Sequence, residues 1–145
     1  MTQSLEDYIE VVYVLIRDKR TARVRDIATS LKVKMPSVVK AIAELKRQGL
    51  VTQEPYGDVE LTPKGRRIAT VILNRHNQIR DFLLKIGVSA RIANKDACRM
   101  EHILSAETMD KIRDYLKKGP PKTQAEDLFS FVRLPIPNHP ITSTT

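Results

Sequence analysis

Apolar residues recur through the first third of the chain at helical spacing. Leu5, Tyr8, Ile9, Val12 and Ile16 fall at i, i+3, i+4, i+7 and i+11 between Ser4 and Lys19, which predicts an amphipathic helix capped by Ser4. Val24 to Leu31, with Ile27, Ala28 and Leu31, predicts a short second helix, and Lys32-Val33-Lys34-Met35 a turn. Pro36 suits the first turn of a third helix, where a missing N–H costs nothing. Val38, Val39, Ile42 and Leu45 are that helix's expected buried stripe, and Gln48-Gly49 ends it. The period then changes. Leu50 to Gln53 and Val59 to Thr62 flank Pro55-Tyr56-Gly57-Asp58, a hairpin signal. Thr62-Pro63 opens a long helix through Ile86, striped by Ile68, Ile72, His76, Ile79, Leu83 and Ile86. Shorter helices are predicted over Ser89 to Asn94, Asp96 to Leu104 and Ala106 to Lys118.

Helix, turn, helix and hairpin in that order predict a mostly α fold: an N-terminal winged helix-turn-helix followed by an all-helical domain. The expected division is a DNA-binding unit over residues 1–70, a helical unit over 71–120 and a Pro-rich tail over 121–145. The later helices carry more apolar positions than one short lobe can bury, so either a two-fold partner in a homodimer or the winged helix covers the remainder. Gly119-Pro120-Pro121 breaks the last helix, and Pro135, Pro137 and Pro140 follow. Leu128, Phe129, Phe131, Val132 and Leu134 are too apolar for a solvated tail and are expected to fold back on the body, with 138–145 loose.

Charge narrows the partner. The 145 residues carry a net +8 with a pI near 9.8, and Arg17 to Arg47 holds 10 basic against 3 acidic side chains. Such a concentration on a helix-turn-helix points to double-stranded DNA. With the third helix in a major groove, Lys34, Ser37 and Lys40 are placed to read bases, and Arg23, Arg25, Lys46 and Arg47 to neutralise phosphates. Each lysine could also belong to a solvated helix face. The absence of Trp and 5% aromatic content argue against single-strand stacking platforms. A single cysteine, Cys98, excludes an internal disulfide. No apolar run approaches a membrane span and the start is polar, so a cytoplasmic protein is expected.

Cys98, Glu101 and His102 fall at i, i+3 and i+4, on one face of the predicted helix, and all three are divalent-metal donors. They could equally be a buried thiol beside a surface carboxylate and a partly buried histidine. Asp7 and Glu10 point away from the first helix's apolar stripe and can reach another part of the protein, unless Asp7 merely caps and Glu10 is solvated. His76 sits on an apolar stripe, where it needs a partner. A satisfied core histidine would meet that need as well.

Asp96 to His102, together with Leu5-Glu6-Asp7-Tyr8-Ile9-Glu10, the basic winged helix and Arg75-His76, resembles the diphtheria toxin repressor (DtxR/MntR) family of metal-dependent transcriptional regulators. The resemblance covers roughly residues 4–118. It implies operator DNA binding by the winged helix, dimerisation through the helical domain, and a divalent co-repressor between them. Carried over, it implies a metal site of Asp7, Cys98, Glu101 and His102, with Glu10 and His76 in or beside it. Asp7, Glu10 and His76 resemble the manganese-sensing branch, and Cys98 the iron-sensing one. Arg80 and Asn94 stand where the iron branch has ancillary ligands. A thiolate favours Fe(II), whereas two carboxylates on the first helix favour Mn(II), and the balance leans narrowly to Fe(II). The function expected is a metal-dependent repressor of metal homeostasis; a winged-helix regulator answering to a small molecule, or to oxidation at Cys98, is the alternative. No nucleophile, base and orienting group are arranged for catalysis, so no enzyme is expected.

Overall fold

The computed structural model describes residues 1–121. Three helices, α1 (Gln3–Lys19), α2 (Val24–Leu31) and α3 (Met35–Arg47), precede an antiparallel hairpin of β1 (Val51–Gln53) and β2 (Val59–Leu61). Helices α4 (Pro63–Lys85), α5 (Ala90–Met100) and α6 (Ala106–Lys118) complete the fold. This is the expected architecture: a winged helix-turn-helix followed by helices alone.

Thr2, and not Ser4, caps α1: its side chain accepts from the Leu5 N–H at 3.4 Å, which moves the cap two residues earlier than predicted. Left-handed residues stop α1 at Arg20 and α2 at Lys32 (φ 65 and 55). The hairpin pairs Val51 with Leu61 and Gln53 with Val59, and Val59 N–H also reaches Ala22 C=O at 2.8 Å, which ties the wing to the α1–α2 connection. Thr62 starts α4 by accepting from Gly65 N–H at 3.0 Å while its hydroxyl donates to Gly49 C=O at 2.7 Å. Gly65 is obligatory there, because a Cβ would stand 1.9 Å from Leu50 O.

Two apolar cores result. The first joins Tyr8, Ile9, Val12 and Leu15 of α1 to Ile27, Val38, Ile42, Leu45, the wing valines Val51 and Val59, and Ile72 of α4. The second joins Ile79 and Leu83 of α4 to Ala93, Ala97, Met109 and Ile112. Helix α4 therefore runs through both, and His76 lies on it between them, 6% exposed.

Several expectations need correction. Val39 is 57% exposed, and Ala41 takes its place in the core, because the inward face of α3 is set by Val38, Ala41, Ile42 and Leu45 at close helix approach. Ile86 is likewise exposed, past the end of α4. The two predicted helices over 89–94 and 96–104 are one helix ending at Met100, since Ala93 and Ala97 at i and i+4 are both fully buried and carry it past the polar Asn94-Lys95-Asp96. The proposed fold-back of Leu128 to Leu134 lies outside the described residues.

Candidate metal centre and nucleic-acid face

The apolar stripe of α1 faces the first core, which leaves Glu6, Asp7 and Glu10 to face α4 and the end of α5. His76 comes from the middle of α4. Cys98 lies in the last turn of α5, Glu101 is its C-cap with helical backbone (φ −58, ψ −27), and His102 follows in the turn. The turn is held to α4 by Arg75, whose Nε donates to Glu101 C=O at 2.9 Å and whose Nη2 donates to Leu104 C=O at 2.7 Å.

His102, with a side chain only 3% exposed, is gripped at both ring nitrogens by α1. Nδ1 is 2.5 Å from Glu6 Oε2 and Nε2 is 2.9 Å from Asp7 Oδ1. Glu101 Oε1 is 3.3 Å from the same Nε2. The other carboxylate oxygen of Glu101, Oε2, is 2.8 Å from His76 Nδ1, while His76 Nε2 donates to Asn94 Oδ1 at 2.8 Å. Glu101 thus joins two donor groups. Asp7, Glu101 and His102 each offer a ligand atom within 4.8 Å of the others, and so do Glu10, His76 and Glu101.

Electrostatics at this centre favour a cation. Glu101 Oε1 is buried and, among the described residues, has no hydrogen-bond donor. An orphaned carboxylate oxygen in the interior is costly unless positive charge neutralises it. Burial, and then the Glu101 charge, push Glu10 up to about 7. Hydrogen bonds to Cys98 and then Glu101 raise His76 to about 10. Burial raises Asp7 against the pull of His102, and at His102 burial is outweighed by Glu6 and Asp7, so the imidazolium is held above its ordinary value. Protons gather where the carboxylates converge. A divalent ion with imidazole and carboxylate ligands satisfies the same charges, so the residues present fit such an ion.

The structure brings Asp7, Glu10, His76, Glu101 and His102 into one neighbourhood. Cys98 differs: it is exposed, its Sγ approaches His76 Nδ1 only at 3.7 Å, and it belongs to neither donor group, whereas Glu101 is buried. That reverses the alternative of a buried thiol beside a surface carboxylate. Glu6 and Asn94 escaped the sequence reasoning as partners of His102 and His76. The signal for Glu6 was its i, i+4 relation to Glu10 beside Asp7. Arg80 pairs with its neighbour Asp81 at 3.0 Å and offers nothing to an ion.

On the winged helix, Arg23, Arg25, Lys34, Ser37, Lys40, Lys46 and Arg47 are all exposed. The Lys34, Ser37, Lys40 and Arg25 side chains make no hydrogen bond or ion pair among the described residues. The others are engaged: Arg23 faces Asp58 at 3.6 Å, Lys46 Nζ donates to Gln53 C=O at 3.1 Å, and Arg47 forks onto Glu44 at 2.8 and 2.5 Å. Met35 and Val39, 50% and 57% exposed, lie beside the free lysines on α3.

Comparison with known proteins agrees with both features. The model of the iron-dependent repressor N-terminal DNA-binding domain matches residues 1–59, and that of the iron-dependent repressor metal-binding and dimerisation domain matches 62–124. The HTH-type transcriptional regulator MntR of Geobacillus kaustophilus is 41% identical over 116 residues, covering 80% of this chain and 82% of the relative. The crystal structure of T. acidophilum IdeR superposes with a TM-score of 0.69 at 26% identity, covering 83% of this chain and 63% of that one. A structure described as a manganese-dependent transcriptional repressor in complex with manganese gives 0.71 at 27% identity, covering 80% and 53%. The chain thus spans between half and two thirds of those two solved proteins.

Proposed function

The chain belongs to the iron-dependent (diphtheria toxin) repressor family of metal-dependent transcriptional regulators, and on that premise we propose that Mn(II), held by Asp7, Glu101 and His102 and by Glu10, His76 and Glu101, switches a homodimer onto operator DNA. One observation carries the reading: a carboxylate of α1 and an orphaned buried carboxylate of the α5 turn converge on one imidazole nitrogen, at 2.9 and 3.3 Å. Both groups consist of carboxylates and imidazoles, and the thiol that argued for Fe(II) stands outside them. Hard oxygen donors favour Mn(II). A named relative's manganese complex supports the same preference.

A bound divalent ion supplies an electrostatic tie between acidic donors of the DNA-binding lobe and of the helical lobe. The residues do the rest. Asp7 and Glu10 ride on α1, which packs directly on α3, so fixing α1 against the α5 turn fixes the pose of the recognition helix. In a two-fold dimer, pairing through the units over 71–120 sets the separation of two such helices, and operators must match it. Lys34, Ser37 and Lys40 reach bases, while Arg23, Arg25, Lys46 and Arg47 meet phosphates.

Operator binding titrated anaerobically with Mn(II) and, separately, Fe(II) under reducing conditions tests the proposal. Mn(II) should stimulate binding more strongly. His102→Ala and Glu101→Ala should abolish stimulation while leaving a folded dimer by sizing and circular dichroism, and Cys98→Ser should retain it. Operator binding by His102→Ala that needs no metal would refute the switch. A stronger response to Fe(II), lost in Cys98→Ser, would restore the iron reading.

A further inference from the structure

Glu6 belongs to neither donor group, yet its carboxylate makes the shortest contact to His102, at 2.5 Å on Nδ1, the ring nitrogen turned away from Asp7 and Glu101. The two residues are far apart in sequence and lie on different lobes. Its side chain is only 28% exposed, and the imidazole between the carboxylates is 3% exposed. An imidazole can offer a lone pair at one nitrogen only if its proton resides on the other, and the acceptor facing that other nitrogen decides which.

We propose that Glu6 is a positioning residue that holds the Nδ1–H of His102, thereby presenting Nε2 to a divalent cation beside Asp7 and Glu101, and latches α1 to the α5 turn. The inference rests on the metal reading above and adds a residue to it. Neighbouring residues of one helix thus act on opposite edges of one ring: Asp7 as a donor to the cation, Glu6 as the anchor that aims the ring. A ring flipped about its Cβ–Cγ bond exchanges Nδ1 with Cδ2 and Nε2 with Cε1, and so would turn a carbon toward Asp7 and Glu101. Glu6 prevents that flip. Asp7 cannot, because in the loaded state its oxygen serves the cation. The arrangement also explains why α1 supplies three carboxylates toward the α5 turn when the two donor groups use only Asp7 and Glu10.

The test compares Glu6→Ala, Glu6→Gln and Asp7→Ala in the full chain. Mn(II) affinity is read by electron paramagnetic resonance, and the His102 ring nitrogens by long-range proton–nitrogen correlation in metal-free and Zn(II)-loaded protein. Glu6→Ala should weaken Mn(II) binding by about 10–100-fold, as loss of an outer hydrogen-bond partner does, and should erase the single Nδ1–H signature of the Zn(II)-loaded wild type. Glu6→Gln, whose amide oxygen still accepts from Nδ1–H, should recover most of both. Unchanged affinity and ring signals in Glu6→Ala, with binding lost in Asp7→Ala, would overturn the role of Glu6 alone. Full Mn(II) affinity in Asp7→Ala would overturn the metal reading itself.

Discussion

Raising the pH from about 6 to about 8 should tighten the ion held by Glu10, His76 and Glu101 roughly a thousandfold, because the ion must displace protons whose affinities the fold has raised. His76, lifted to about 10, keeps its proton through the whole interval. It contributes about one decade of affinity per pH unit, or two in all. Glu10, lifted to about 7, is nearly fully protonated at the start and nearly fully ionised at the end, which adds about one decade more. The sum is about 4 kcal/mol. Its curvature is diagnostic: calorimetric titration of Mn(II) in buffers of different ionisation enthalpy should show proton release falling from about two per ion near pH 6 to about one near pH 8. An affinity that moves less than tenfold over the interval, or proton release that grows with pH, would refute the reasoning.

The same protons stabilise the metal-free protein, with the opposite dependence. A histidine raised from about 6.5 to about 10 contributes stability that is complete below the lower value and disappears as pH rises through the higher. Glu10, raised from 4.5 to about 7, favours the folded state only while its carboxyl is protonated. The Glu10 contribution therefore declines between about pH 4.5 and 7, and the His76 contribution between about pH 6.5 and 10. Metal-free Tm should fall across those windows, while the gain in Tm on adding Mn(II) should grow.

Three further outcomes follow from the fold and the basic face. Gly65→Ala should cost about 3 kcal/mol or more in urea unfolding, because its Cβ would meet the Leu50 carbonyl, a backbone atom that cannot move aside. A loss under 1 kcal/mol would contradict the close approach. Lys40→Ala should lower the slope of log affinity against log salt by about 0.9. Lys46, already donating to Gln53 C=O, should change it less, and equal slopes in fluorescence anisotropy would count against that difference. Val39→Ala should leave stability unchanged and lose about 1 kcal/mol of preference for thymine over uracil at one operator position, as expected for an exposed methyl contact in the major groove.

How much of this was legible in sequence depended on the strength of each periodic signal. Helix α1, the turn before Pro36, the hairpin and the start of α4 each carry a strong cue, a branched apolar stripe or a Pro or Gly at a position that tolerates nothing else. Alanine is a weak cue. Ala41 was overlooked in favour of Val39, and α5 was split at Lys95-Asp96 although Ala93 and Ala97 bury one continuous face. Spacing put Cys98, Glu101 and His102 together, but spacing alone could not say that the helix stops at Met100 and that the thiol is left outside while Glu101 turns in. Glu6 was hidden for another reason. Its role depends on which edge of a ring 96 positions away it meets, and that information exists only once the lobes are packed.

The packing also constrains how a metal can regulate this protein. His102 already bridges Glu6 and Asp7 of α1, and Arg75 already pins the turn that bears it, through hydrogen bonds that need no ion. Four carboxylates converge here, and in the metal-free protein protons on His76 and, below about pH 7, on Glu10 offset their charge. A divalent ion therefore exchanges with protons within an arrangement that the residues already favour; it does not draw distant ligands together. Its leverage on DNA binding is the difference between those two ways of neutralising the same carboxylates, since a ligand shifts an equilibrium only by its differential affinity. A coupling in the ordinary range of about 1–3 kcal/mol is consistent with such an exchange, whereas a larger one would require α1 to leave His102 when the ion is absent. The contact between Glu6 and His102 is the same whether Nε2 carries a proton or a metal, so it adds nothing to that difference; it holds α1 to the turn in both states and thereby caps the coupling.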